Sequence, residues 1–159
     1  MEKWPMFSGE VLHLHVCPRA FLPMQSRQEI TLVAGKGIEG DRYMLETGFY
    51  SDKPEIGRQI TLFEIETLAA LKRDFDIELA PEEHRRNVTV KDVPLNHLVN
   101  RQFRLGSCLL EATRLSFPCK HLDEITGKDA FDSLVHRSGL NCMILEGGTV
   151  RVGDTVTPV

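Results

Sequence analysis

The sequence has no run approaching the roughly 20 consecutive apolar residues that a membrane-spanning helix requires. Its first ten residues include Glu2, Lys3 and Trp4 and no apolar h-region, so no export signal is expected and the predicted compartment is cytoplasmic. An excess of basic charge is also missing. The 19 Lys and Arg residues stand against 23 Asp and Glu, a net charge of -4, which argues against a general nucleic-acid binder while leaving room for a local basic pocket. Proline, glycine and serine are not enriched, and neither a low-complexity tract nor an internal repeat is present, so disorder is not expected. No stretch is long or polar enough to serve as a linker. The 159 residues are predicted to form one domain over 1–159 with a single core.

Cysteine is sparse. Cys17, Cys108, Cys119 and Cys142 fit no Cys-x-x-Cys or zinc-finger spacing, which speaks against structural zinc and against an iron–sulfur cluster. A dinucleotide-binding glycine motif is absent as well. Cys108 and Cys142 stand in apolar runs and read as small core hydrophobes. Cys119 differs, because in Phe117-Pro118-Cys119-Lys120-His121 a thiol lies between a proline and two potentially cationic side chains. Nearby positive charge favours the thiolate, the nucleophilic and metal-binding form, so Cys119 is the leading candidate for chemistry.

The apolar pattern is mostly that of short strands. Val11 to Val16 alternates, predicting a strand with Leu12, Leu14 and Val16 on one face and Val11, His13 and His15 on the other. His13 and His15 read as half-exposed strand histidines, since no third metal ligand accompanies them. Ile30 to Ala34 is a second run, followed by a turn rich in glycine. Ile60 to Phe63 predicts a strand leading into a helix marked by Ile65, Leu68, Leu71 and Phe75, with Thr61 and Glu64 as a capping box. Asn87 to Val90, Gln102 to Leu105 and Leu109 to Thr113 continue as a compact meander. Gly127 splits two short helical segments, the second starting near Asp129. Gly147-Gly148 is expected to turn a terminal hairpin between Asn141–Leu145 and Thr149–Val152. With no βαβ rhythm, the expected architecture is mainly β, a barrel-like fold with two or three peripheral helices.

Arginines and lysines stand beside the turn motifs instead of along one helix face. Arg42, Arg85, Arg86, Arg114, Lys120 and Arg137 would suit an anionic, phosphate-bearing ligand if they converge, since guanidinium offers paired donors to phosphate oxygens. The alternative is a set of solvated charges paired with carboxylates. Asp41 can close a turn after Gly40 or orient Arg42, and Asn87 can reach a pocket or cap a turn.

Taken in order, Gly37-Ile38-Glu39-Gly40-Asp41-Arg42-Tyr43, Arg85-Arg86-Asn87, Pro118-Cys119, Arg137-Ser138-Gly139 and Glu146-Gly147-Gly148 with Val152-Gly153-Asp154 resemble the MOSC domain family, over about residues 10–159. MOSC domains occur at the carboxyl end of molybdenum-cofactor sulfurases and as stand-alone bacterial proteins. The resemblance implies a mainly β, barrel-like fold and a bound molybdenum pterin cofactor. It also implies a role for Cys119 either as a persulfide sulfur carrier or as a molybdenum ligand. Gly40, Asp41, Arg42, Arg86, Asn87, Arg114, Lys120, His121 and Arg137 would then hold or shape the cofactor site. Tyr43 stands where many members carry histidine, and Phe117 where an acidic residue is common. The resemblance also allows a molybdenum-dependent reductase of N-hydroxylated compounds, and a reading of a different class is a non-catalytic cofactor carrier or binding module in which the arginines matter and the cysteine need not. The expected partners are a cysteine desulfurase carrying its own pyridoxal phosphate, a molybdoenzyme or an electron donor.

Overall fold

A computed structural model describes residues 5–45, 56–118 and 120–159, with Ile56 and His121 described by their backbone alone. In chain order the elements are β1 (Gly9–Val16), β2 (Gln25–Arg27), β3 (Glu29–Val33), β4 (Gly37–Ile38), α1 (Arg42–Leu45), β5 (Ile60–Glu64), α2 (Ile65–Phe75), β6 (Val88–Lys91), β7 (Gln102–Leu105), β8 (Cys108–Leu115), α3 (Lys120–Thr126), β9 (Leu140–Glu146), β10 (Gly148–Arg151) and β11 (Thr155–Pro158). Seven strands close into a barrel in the order β1, β11, β7, β8, β9, β5 and β6, the last pairing again with β1. The mainly β, barrel-like expectation with few helices is therefore met. Among the described residues no helix is long and apolar enough to cross a membrane.

Closure depends on β1, which uses both of its edges. Gly9 and Glu10 pair with β11, Leu14 to Val16 pair with β2 on the same side, and Glu10 to Leu14 pair with β6 on the other. A bulge between Val11 and His13 shifts the register against β6. An extra residue in one strand resets which side chains face inward. Val11 and Leu14 therefore both enter the core, against the simple alternation expected, and His15 is buried at 2% exposure while His13 is exposed.

Two apolar clusters hold the fold. The larger fills the barrel with Leu14, Ile60, Leu62, Phe103, Leu110 and Leu140, and Cys108 and Cys142 belong to it as small hydrophobes. Burial pushes the Cys142 thiol far up from its ordinary value and raises that of Cys108 as well. The smaller cluster joins Phe63 of β5 to Leu71 of α2, Leu122 of α3, and Leu79, Ala130 and Leu134. β5 is thus buried on both faces, Leu62 inward and Phe63 under the helices, and each such side chain contributes about 1.5–3 kcal/mol.

Four local expectations are corrected. β5 and β6 are parallel, Leu62 opposite Val88, so β5, α2 and β6 form one βαβ unit inside an otherwise antiparallel barrel. The capping box is absent: Glu64 takes the N-cap position without a side-chain bond, because Thr61 is held in the strand by Asn87. The second helical segment after Gly127 is a 3-10 turn, Asp132–Leu134, which begins after Asp129. The terminal hairpin does not form, since β9 pairs with β5 and β8 while β10 pairs with β3 in a separate three-stranded sheet. At Gly147 a Cβ would overlap the Leu32 carbonyl, so the glycine permits the chain to cross between sheets there.

Candidate functional site

The Asp41, Asn87, Pro118 and Ser138 motifs meet at one end of the barrel, where β1 and β8 finish and β6 and β9 begin, whereas Gly148 lies beside Ser107 and Cys108 and Asp154 beside Gly106, at the opposite end. Cys17 follows β1, Asn87 precedes β6, Ser116 follows β8 and Gly139 precedes β9. Asp41, just before α1, occupies the centre of the inner layer and is fully buried. Its Oδ1 accepts from the Cys17 N–H at 3.0 Å, Asn87 Nδ2 at 3.2 Å and Arg42 Nη1 at 3.2 Å, and Oδ2 accepts from the Tyr43 N–H at 3.4 Å. Burial pushes the Asp41 carboxyl up from its ordinary value; Arg42 and the N–H groups of Cys17, Tyr43 and Asn87 oppose that shift. Every one of these partners is a donor, so the pocket around Asp41 is built for the carboxylate. Asp41 both closes a turn onto Tyr43 and orients Arg42, joining the two alternatives raised by its sequence position.

Arg42 is 5% exposed and is satisfied by the scaffold. Its Nη2 donates to the Arg85 carbonyl at 3.0 Å and to Tyr43 Oη at 3.2 Å, and its guanidinium lies 4.5 Å from the centre of the Tyr43 ring. Arg85 adopts φ of 64° and turns inward, donating to the Leu22 carbonyl at 2.7 Å and approaching Cys17 Sγ at 3.8 Å. Asn87 works as a cross-strand tie. Its Nδ2 reaches the His15 carbonyl as well as Asp41, and its Oδ1 accepts from both the N–H and the hydroxyl of Thr61 at 3.0 Å. Cys17 and Thr61 carry no signal of this role in the sequence, because what each contributes here is a backbone N–H or a short-range hydroxyl.

The outer layer surrounds the segment that leads to Cys119. Arg86, half-buried, donates through Nε to the Ser138 carbonyl at 2.8 Å and through Nη2 to Ser138 Oγ at 2.8 Å and the Phe117 carbonyl at 3.2 Å. Its backbone N–H is accepted by Nδ1 of His84 at 2.9 Å. An acceptor Nδ1 leaves the His84 proton on Nε2, which donates to Thr89 Oγ1 at 2.7 Å, while the ring stacks on Phe63 at 4.2 Å. Burial and the positive charge of Arg86 hold the His84 imidazole well below its ordinary range. Asn141 donates to Ser116 Oγ and accepts from both Nη atoms of Arg114 at 3.2 Å, and the Arg114 guanidinium lies 5.4 Å from the Phe117 ring, which is 72% exposed.

The chain therefore brings Asp41, Arg42, Arg86 and Asn87 together, with Gly40 at the exposed turn before Asp41 and Arg114 tied in through Asn141. Lys120 and Arg137 lie on the adjoining segments; the Lys120 ammonium sits 5.7 Å from the Phe131 ring, and Arg137 extends to Asp74 on α2 at 4.0 Å. Cys119 and the side chain of His121 lie outside the described residues. The Arg137-Ser138-Gly139 motif has a steric basis: Gly139 has φ of 101°, and a Cβ there would overlap the Leu62 carbonyl. Among the described residues no group of three or more His, Cys, Asp and Glu side chains is arranged to hold a metal ion.

Comparison with known proteins bears on the fold and the family. The chain superposes on YuaD from Bacillus subtilis with a TM-score of 0.78 and 18% identity, covering 97% of each chain. It superposes on YiiM from Geobacillus stearothermophilus with a TM-score of 0.72 and 11% identity, over 95% of this chain and 75% of that one. For YiiM from Escherichia coli the TM-score is 0.65 at 17% identity, over 98% of this chain and 70% of that one. At these identities the likeness is one of fold. No curated protein sequence matches the chain. The MOSC domain model matches residues 36–157, a span that contains Asp41, Asn87, Cys119 and Gly139, and on that match the chain belongs to the MOSC domain family.

Proposed function

We propose that the protein binds a molybdenum pterin cofactor at this end of the barrel, with the Cys119 thiolate serving as a molybdenum ligand or as a persulfide sulfur carrier. The observation that supports the reading is the convergence of the Asp41, Asn87 and Ser138 motifs on one cross-linked cluster, from which Phe117 and Pro118 lead directly to Cys119. The donor chemistry fits the group. A thiolate is a soft ligand and sulfur acceptor, and the guanidinium of Arg114, half-buried beside the exposed Phe117 ring, suits phosphate. Lys120, His121 and Arg137 flank the same segments and add positive charge. When bound, the cofactor would supply metal-centred chemistry. The chain's own part is to carry the thiol and hold the anion, with Asp41, Arg42 and Asn87 as the rigid floor beneath.

Sulfur for a persulfide would come from a partner such as a cysteine desulfurase, and redox turnover would need a separate electron donor. The reading is tested by anaerobic reconstitution with molybdenum cofactor, followed by assay of bound molybdenum and pterin. Retention near one equivalent, weakened about tenfold by Arg114→Gln, is expected. Retention that is unchanged in Arg114→Gln and in Lys120→Gln would remove the anion-binding role from this face.

A further inference from the structure

The β8–β9 ladder ends where Leu115 pairs with Leu140 and the Ser116 N–H reaches the Gly139 carbonyl at 2.8 Å. Beyond that rung the strands part, and Arg86 takes over the connection. Its guanidinium spans the gap, with Nε and Nη2 on Ser138 on one side and Nη2 on the Phe117 carbonyl on the other. The fork is fixed at its base by His84, whose Nδ1 accepts the Arg86 N–H. A planar guanidinium can satisfy these diverging acceptors at once, which a lysine ammonium on a flexible stem does not reproduce.

We infer that Arg86 is the positioning residue for the Phe117-Pro118 segment that leads in sequence to Cys119, acting through the Phe117 carbonyl instead of as a charge partner for the ligand. This rests on the reading of Cys119 as the reactive thiol. The sequence alone placed Arg86 among ligand-binding cations. The geometry points to a role in which Arg86 holds the backbone two residues before the thiol.

The test is alkylation of the intact protein with iodoacetamide between about pH 6 and about pH 10, followed residue by residue by peptide mass spectrometry, for wild type, Arg86→Lys, Arg86→Gln and Ser138→Ala. Wild type is expected to label Cys119 ahead of the buried Cys17, Cys108 and Cys142. Arg86→Lys keeps the charge and loses the fork, so it should resemble Arg86→Gln. Both should change the limiting, pH-independent rate at Cys119 by about threefold or more in the same direction, with Ser138→Ala intermediate. Faster hydrogen exchange at the Ser116 amide should accompany the change in folded variants, as judged by circular dichroism. Overturning results are Arg86→Lys behaving as wild type while only Arg86→Gln moves the pH midpoint, which would make the effect one of charge, or unchanged rates in both. Failure of wild type to label Cys119 preferentially would sink the reading of that thiol and the positioning role with it. Unchanged Ser116 exchange would sink the fork independently.

Discussion

Asn87 donates its side-chain amide to the buried carboxylate of Asp41 at 3.2 Å, across 46 positions of sequence. The bond joins the turn before α1 to the entry of β6, and Arg42 completes the charge balance at 3.2 Å from the same oxygen. The ion pair is 6% and 0% exposed at its two side chains, so neither partner can fall back on water.

Replacing Asp41 by Asn leaves the Arg42 guanidinium buried without a counter-charge. The expected cost is about 3–5 kcal/mol in urea unfolding. A loss below about 1 kcal/mol would show that the pair is not the keystone of the inner layer.

Gly139 and Gly153 both have positive φ, 101° and 94°, but only Gly139 faces an obstructing carbonyl. Gly139→Ala should therefore cost several kcal/mol or prevent folding, whereas Gly153→Ala should cost about 1–2 kcal/mol from backbone strain alone. Equal losses in thermal or chemical unfolding would contradict the close approach to Leu62.

The parts of the described cluster legible in the sequence were those carried by residue type: glycines with unusual backbone needs and charged residues beside turns. Most strands were legible for the same reason, since Ile60 to Phe63 and Gln102 to Leu105 carry compact apolar patterns. What was not legible depends on tertiary pairing. The bulge after Val11 has no signature in a regular alternation, so the burial of His15 was missed. Gly147-Gly148 has the composition of a hairpin turn, and only pairing with β3 makes it a crossing between sheets. The parallel pairing of β5 and β6 was hidden because a single βαβ unit makes no rhythm. Ser138 stood within a recognised motif, yet one of its two bonds from Arg86 is to a carbonyl, which every residue possesses.

Glu64, at the start of α2, has its carboxyl pushed up to about 7 by burial and by the charge of Glu66, opposed by a bond from the Leu95 N–H. The folded state holds this proton to higher pH than the unfolded state, so stability is lost as pH rises from the ordinary carboxyl range of about 4.5 through about 7. Glu64→Gln should stabilise the protein at pH 8 by about 1–2 kcal/mol, allowing for partial solvent screening, and have little effect near pH 4. Equal gains at both pH values in urea melts would contradict the assignment.

His84 runs in the opposite direction. Its folded-state value is depressed, so the stability tied to the neutral ring is present above about pH 6.5 and is lost as pH falls below that. Nitrogen-15 NMR at about pH 6 should find a neutral ring protonated on Nε2. A ring half-protonated near its ordinary value would contradict the bond from the Arg86 N–H.

The central claim is that Cys119 belongs to a cofactor site built by this cluster, and the most direct measurement is an anaerobic titration of wild type, Cys119→Ala and Cys108→Ala with molybdenum cofactor. Bound molybdenum and pterin would be quantified, and sulfur ligation read by X-ray absorption at the metal edge. The account predicts binding by wild type and Cys108→Ala, with binding lost or metal sulfur ligation altered in Cys119→Ala alone. Absence of binding by all three proteins, or binding and ligation identical in all three, would contradict it.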